Sequence, residues 1–253
     1  MKLIILKTNL KECLEKIERI AGDNQMLPIL KNCLIQTVDN KIFFSTTNLE
    51  IAITNFISGK IIEEGSITVP VNTLLNIINN LEEERITLET ENNNLIIKTS
   101  NYQAKLQGIK KEDFPIIPKI SNNQNSIEIS SLLLKETLEA VINSAQSLNI
   151  RPELNGVLFD YQNNFLKIVA TDSFRLSEKT INKNSFKSNT NQIFKIIIPL
   201  KTIQEIIKLI QNNTNNTTFY IDPNQILFSM DNTEIISRLI DGEFPDYQPI
   251  IPQ

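Results

Sequence analysis

Histidine is absent from all 253 residues. With it go the Ser-His and Cys-His nucleophilic pairs and the commonest zinc and haem ligand sets. Glycine is scarce, with six residues, and no G-x-x-x-x-G-K-[ST] or G-x-G-x-x-G run occurs, so no phosphate-cradling loop is expected. The two cysteines, Cys13 and Cys33, sit inside apolar patterns at a spacing that makes neither a zinc nor a redox motif. They read as buried structural thiols. The apolar run at the N-terminus, Leu3–Leu6, is too short for a signal-peptide core, and no stretch approaches the roughly 20 apolar residues needed to span a bilayer. The expectation is a cytoplasmic protein. Acidic clusters such as Glu82-Glu83-Glu84 fall on solvated faces and turns, with no acid/base or two-metal spacing. No catalytic residue, metal or cofactor is expected.

What the chain does have is a repeat. Pro28 and Leu30, followed by Cys33-Leu34-Ile35, return 124 residues later as Pro152 and Leu154, followed by Val157-Leu158-Phe159. At the same offset Thr46-Thr47-Asn48 answers Ala170-Thr171-Asp172. Ile67-Thr68-Val69-Pro70 returns 129 residues on as Ile196-Ile197-Ile198-Pro199, and Asp113-Phe114-Pro115 returns 130 residues on as Glu243-Phe244-Pro245. A period of about 125 residues is too long for a solenoid unit and suits a complete domain. With 41% hydrophobic residues, each half has enough apolar content for its own core.

Within each copy the pattern reads strand, helix, several strands, helix, several strands. The first helix is predicted over Asn9–Ile20, with Leu10, Cys13, Leu14, Ile17 and Ile20 on one face, Asn9 as N-cap and Glu12 completing a capping box. Its counterpart is predicted over Ser131–Ser147, with Leu134, Leu138, Val141, Ile142 and Ala145 on one face. Val71–Leu81 and Leu200–Gln211 each follow a proline, which suits a helix start. Short β-rich runs lie between them, at Lys41–Ser45, Ile61–Ile62, Ile86–Glu89, Leu95–Thr99, Leu166–Ala170 and Ile226–Met230. The fold class is therefore α+β, a tandem repeat of antiparallel β-sheet domains, each with two helices packed on one face. The polar, Asn-rich stretch Lys119–Ser126 separates domain 1, residues 1–119, from domain 2, residues 127–253.

Four segments, in order along the chain, carry a resemblance: Leu27-Pro28-Ile29-Leu30, Leu154-Asn155-Gly156, Ala170-Thr171-Asp172-Ser173-Phe174-Arg175-Leu176-Ser177 and Asp241-Gly242-Glu243-Phe244-Pro245-Asp246-Tyr247. Together with the repeat they resemble the processivity clamps of bacteria, the beta subunits of DNA polymerase III. The resemblance implies the DNA clamp fold and a non-catalytic ring that encircles duplex DNA in replication. Any polymerase activity would belong to the holoenzyme it serves. The implied partners are double-stranded DNA, the polymerase III catalytic subunit, the clamp loader and other proteins bearing a clamp-binding motif. Complete family chains resemble three such domains, two chains closing a homodimeric ring. This chain ends where a third copy would begin, so it is expected to be the first two domains, monomeric as it stands. A two-domain clamp needing three chains is the other reading. From a different class, a two-domain β-rich binding scaffold that never encircles DNA fits the acidic balance of −4.

The resemblance also implies sites. A peptide-binding groove maps to Leu154, Thr171, Ser173, Phe174, Arg175, Leu176, Pro245 and Ile250. Leu154, Leu176, Pro245 and Ile250 would form an apolar floor, and Thr171 and Arg175 a polar rim. The alternative to the groove reading is that Leu154 and Leu176 are simply core residues of the second sheet. DNA-facing candidates are Lys7, Lys11, Lys16, Arg19, Asn24, Arg151, Lys201 and Lys208, meeting phosphates without reading bases. Their helices carry nearly balancing acidic residues, as ordinary solvated faces also would. The ring-closing edge maps to Tyr102–Leu106, with Ala104 and Leu106 as contacts. Two departures bear on peptide preference: Phe174 stands where relatives often have histidine, and Pro249 where some have arginine.

Overall fold

The computed structural model describes residues 1–22, 26–120, 125–145, 151–190, 192–210 and 215–251. The chain divides into two compact units, Met1–Pro118 together with Asn232–Ile235, and Lys119–Asp231 together with Ile236–Gln253.

The first unit runs β1 (Lys2–Leu6), α1 (Lys7–Ile17), β2 (Asn32–Val38), β3 (Lys41–Thr47), β4 (Ile51–Ile57), β5 (Lys60–Glu63), β6 (Ser66–Pro70), α2 (Val71–Asn80), β7 (Arg85–Glu91), β8 (Asn94–Lys98) and β9 (Gln103–Gln107). The second repeats that order as β10 (Ser126–Ser130), α3 (Ser131–Ile142), β11 (Gly156–Tyr161), β12 (Phe165–Thr171), β13 (Leu176–Asn182), β14 (Phe186–Ser188), β15 (Phe194–Pro199), α4 (Leu200–Leu209), β16 (Asn216–Asp222), β17 (Gln225–Met230) and β18 (Thr233–Arg238). Pairing repeats as well. In the first unit the neighbours are β5-β1-β7-β8-β9 and β6-β2-β3-β4; in the second they are β14-β10-β16-β17-β18 and β15-β11-β12-β13. Every pairing whose register is resolved is antiparallel.

Each helix is entered directly from a strand, and none has a side-chain cap from its own N-cap residue. The freed N–H groups find acceptors elsewhere in the unit. The Lys7 N–H donates to the Glu84 carbonyl at 2.7 Å, the Leu200 N–H to the Asn155 carbonyl at 2.9 Å, and the Thr8 hydroxyl to the Glu84 carboxylate at 3.0 Å. The capping box expected at Asn9 is therefore not formed. The helix starts two residues earlier because Glu84, distant in sequence, supplies the acceptors. The apolar faces fall largely where periodicity puts them: Leu10, Cys13, Leu14 and Ile17 on α1 and Leu134, Leu138 and Val141 on α3 are buried. Ile20 is buried in a 3-10 turn beyond α1, whereas α3 ends at Ile142, which is only half-buried like Ala145 after it. α1 packs on α2 and α3 on α4. Pro70 and Pro199 close β6 and β15 immediately before their helices, as expected of a residue that donates no N–H and has its φ preset.

In the second unit Phe159, Phe219 and Phe228 pack edge-on or tilted, with centroids 5.6 to 6.5 Å apart, between the two sheets. Gly156 opens β11 at a crowded place. A Cβ there would lie 2.6 Å from Ile197 Cγ2 and 2.6 Å from the Ile198 carbonyl oxygen, so no side chain fits. Among the described residues no helix is long and apolar enough to cross a membrane.

Candidate functional site

Four residues separate β12 from β13, and they are held by a compact set of hydrogen bonds. The Thr171 hydroxyl donates to the Arg175 carbonyl at 2.7 Å and accepts the Ser173 N–H at 3.2 Å. Asp172 Oδ1 accepts the Phe174 N–H at 2.9 Å and the Arg175 N–H at 2.7 Å. Asp172 Oδ2 takes Nε and Nη2 of Arg175, both at 2.9 Å. Ser173 sits at φ 73°, a left-handed conformation that a side chain ordinarily avoids and that these bonds stabilise. The backbone N–H groups of Arg175 and then Phe174 hold the Asp172 carboxyl below its ordinary range, so it is ionised at neutral pH. With the polar atoms bonded within the turn, Phe174 is left in solvent, 94% exposed.

Facing this turn is the segment that follows β18. Ile240 pairs with Ile197, its N–H donating to the Ile197 carbonyl at 2.9 Å. The chain then lies across the face of the β15-β11-β12 sheet that carries Leu158, Val169 and Ile197, where Tyr247 completes a small core flanked by Leu176, Ile240 and Phe244. Phe244 and Tyr247 meet edge to face at 6.2 Å. The strap is thus pinned by two aromatic rings. The Tyr247 hydroxyl is buried and makes no well-formed hydrogen bond among the described residues; burial first, and then the Glu178 carboxylate placed to accept from it, push its pKa up.

Between turn and strap lies a cleft of about 160 Å³. Thr171, Ser173, Phe174, Arg175 and Leu176 line it from one side, and Pro245, Asp246, Tyr247 and Ile250 from the other, with Arg151 beside them. Seven of the eight groove candidates are brought together here. The eighth, Leu154, is 1% exposed and does not line the cleft; it is a core residue. Arg151, read as a DNA contact, is a lining residue. Asp246 and Tyr247 were not singled out as site residues, and the aromatic two places after Phe-Pro was the available signal. Phe174 and Ile250, 94% and 69% exposed, flank the cleft with apolar surface that the fold itself does not bury. A second cavity of about 490 Å³ shares Pro245, Asp246 and Tyr247 with it and reaches Leu158, Lys195 and Ile197.

The remaining candidates are scattered over the two units. Lys7 opens α1, and its Nζ donates to the Leu81 carbonyl. Lys11 pairs with Glu15 at 3.8 Å, Lys16 is half-buried, and Arg19 is exposed in the 3-10 turn after α1. On α4, Lys201 is exposed and Lys208 pairs with the buried Glu205 at 2.7 Å. Asn24 lies outside the described residues. Ala104 and Leu106 are half-buried on β9, which among the described residues pairs with β8 alone and leaves its other edge unpaired. Tyr102 lies just before that strand. Among the described residues no group of three or more Cys, Asp or Glu is placed to hold a metal ion.

Comparison with known proteins accounts for both halves. The DNA polymerase III beta subunit, N-terminal domain, matches residues 1–118, and the central domain of the same subunit matches residues 128–246. A beta sliding clamp of Buchnera aphidicola subsp. Rhopalosiphum padi is 33% identical over 99% of this chain and 68% of its own length. The sliding clamp structure from Bacillus subtilis superposes with a TM-score of 0.93 at 26% identity, covering 100% of this chain and 68% of that one. A Helicobacter pylori beta clamp bound to a DNA ligase peptide superposes at 0.89, also at 26% identity, covering 100% of this chain and 70% of that one. The repeated α+β fold and these matches agree, and the chain belongs to the beta sliding clamp family, the non-catalytic processivity subunits of DNA polymerase III.

Proposed function

We propose that the cleft between the Thr171–Leu176 turn and the Pro245–Ile250 strap is where this processivity factor docks its partners, the polymerase III catalytic subunit, the clamp loader and other proteins with short apolar motifs. The observation that carries the reading is the pairing of exposed Phe174 and Ile250 across an apolar cleft whose walls are each fixed independently. A peptide inserting two or three apolar side chains would cover that surface, and Arg151 and Arg175 would meet its polar backbone. The peptide seen on the H. pylori clamp supports this class of ligand. Leu154 enters the proposal only as core behind the site.

The topological half of the function follows from the same family. We assign residues 1–119 and 127–253 as two clamp domains of a cytoplasmic ring around double-stranded DNA, closed through Ala104 and Leu106 on the free edge of β9. Lys11, Lys16, Arg19, Lys201 and Lys208 are its candidate phosphate contacts, and Lys7 contributes less because the Leu81 carbonyl occupies it. Partner docking is tested by fluorescence anisotropy with a labelled Gln-Leu-Ser-Leu-Phe peptide. Saturable binding that is lost in Leu176→Asp and Ile250→Asp variants is the expected result. Equal binding by both folded variants, or none by the parent chain, would refute the docking site.

A further inference from the structure

The turn that borders the cleft has a twin in the first unit. Between β3 and β4, the Thr47 hydroxyl donates to the Ile51 carbonyl at 2.9 Å and accepts the Leu49 N–H at 3.0 Å. Asn48 Oδ1 accepts the Glu50 N–H at 3.0 Å and the Ile51 N–H at 2.8 Å. The closing bond runs from the Asn48 N–H to the Ile51 carbonyl at 3.1 Å, as it does from Asp172 to Arg175 at 3.3 Å. Leu49 stands at φ 77° where Ser173 stands at 73°. Donor by donor, the two turns are the same.

The difference lies in what the fold does not need. One side-chain oxygen at the Asx position satisfies the backbone in both copies, and a neutral amide suffices at Asn48. In the second copy a carboxylate replaces the amide, and its spare oxygen Oδ2 takes the Arg175 fork. The residue matching Arg175 is Ile51, which is 2% exposed and belongs to the core. Arg175 has 64% of its side chain in solvent and lines the cleft. With the arginine end in solvent the ion pair adds little to folding beyond what the carboxylate gains from the turn's own N–H groups, so stability does not explain why a guanidinium joins the carboxylate only at the copy of the turn that borders the cleft.

We propose that Asp172 is a positioning residue for partner recognition. Its Oδ2 fixes the Arg175 guanidinium at the cleft rim, so that the remaining N–H groups meet acceptor oxygens of an extended partner peptide. This rests on the docking site proposed above. Asp172 does not touch the peptide; it removes rotamer freedom that Arg175 would otherwise lose on binding, and it sets the plane of the fork.

The test compares peptide affinity and urea midpoint for the whole chain and for Asp172→Asn, Arg175→Ala, the double variant and Asn48→Asp. Asp172→Asn keeps the backbone acceptor, as Asn48 does, so it folds with only a small fall in midpoint from the lost charge, while its Kd rises about fivefold. Arg175→Ala weakens binding about tenfold, and the double variant binds no more weakly than Arg175→Ala alone, since Asp172 acts only through the arginine. Asn48→Asp leaves affinity unchanged. Should Asp172→Asn fold poorly, Arg175→Lys leaves the turn intact and breaks only the fork, with the same loss of about fivefold expected. Parental affinity in Asp172→Asn, multiplying losses in the double variant, or no loss in Arg175→Ala or Arg175→Lys would overturn the proposal, while the docking site would stand if Leu176→Asp still abolished binding. A parent chain that binds no peptide would remove both.

Discussion

Tyr247→Phe should stabilise this protein. The ring of Tyr247 is embedded against Leu158, Val169 and Ile197 and edge-on to Phe244, and the residue is 5% exposed. Its hydroxyl lies in that environment without a well-formed hydrogen bond. Asp160 is engaged by Gln162 at 2.6 Å and Lys195 at 3.6 Å, and Glu178, the carboxylate placed to accept from the hydroxyl, is drawn to Lys167 at 3.1 Å and makes no well-formed bond with that hydroxyl. An unsatisfied buried hydroxyl costs about 1–3 kcal/mol, and phenylalanine keeps every ring contact. The gain expected is about 1 kcal/mol, at the low end because residual polar surroundings partly solvate the group. For a chain this long that is about 3 °C in Tm, with a matching rise in urea midpoint at constant m-value. Peptide affinity should not change, since the ring and not the hydroxyl pins the strap. Tyr247→Ala gives the opposite control. Loss of the ring costs about 3 kcal/mol or more and frees the strap, so stability and affinity fall together. A Tyr247→Phe protein less stable than the parent by 1 kcal/mol would show that the hydroxyl is bonded to Glu178, and the reasoning would fail.

Two further outcomes test the structure elsewhere. Leu154→Ala should lower stability by about 3 kcal/mol, as a buried leucine does, while peptide Kd measured well below the unfolding transition stays near the parental value; binding lost at full stability would return Leu154 to the groove. Burial raises the Cys33 thiol to about 12 and the Cys13 thiol well above its ordinary value, desolvation being the larger cause in both. The folded state therefore holds protons that the unfolded state releases above about pH 8.5. Stability due to each thiol is complete below that pH and falls by about 1.4 kcal/mol per unit as pH rises towards 12. Urea unfolding between pH 8 and 10 should accordingly fall less steeply in Cys33→Ala than in the parent, and neither native thiol should react with Ellman's reagent; equal slopes or rapid labelling would contradict the burial.

Which features were legible follows from how local their causes are. The periodicity of Leu10, Cys13, Leu14 and Ile17 is written in eleven consecutive residues, and so is the side that α1 buries. Its start is not, because the acceptor that draws the helix back to Lys7 is Glu84, more than seventy residues away. The Thr171–Leu176 segment was legible only through the family resemblance; that Thr171 and Asp172 close it as a turn with their own side chains is a finding of the structure. Leu154 was legible only as an apolar residue. Whether it faces the cleft or the core depends on how the 3-10 turn Pro152–Leu154 enters β11, which no spacing records. The strap is the clearest case. The stretch from Asp241 to Ile250 contains no regular strand or α-helix, so neither period reveals that Tyr247 folds onto Leu158 and Ile197.

A protein without a catalytic residue still needs positional accuracy, and here it comes from separating scaffold from display. Thr171 and Oδ1 of Asp172 hold the turn with bonds that Thr47 and Asn48 duplicate where no peptide is proposed to bind, so they belong to the fold. Phe174 and the Arg175 guanidinium contribute nothing that the turn requires. They are free to vary with partner preference at little cost to folding. The strap obeys the same division. Phe244 and Tyr247 are spent on the sheet, whereas Pro245 and Ile250, on the same short segment, are presented to the cleft. Display residues and anchoring residues alternate within a few positions on both walls. The cleft is therefore held by its anchors and adjustable through its tips, as the proposed docking surface for several partners would require.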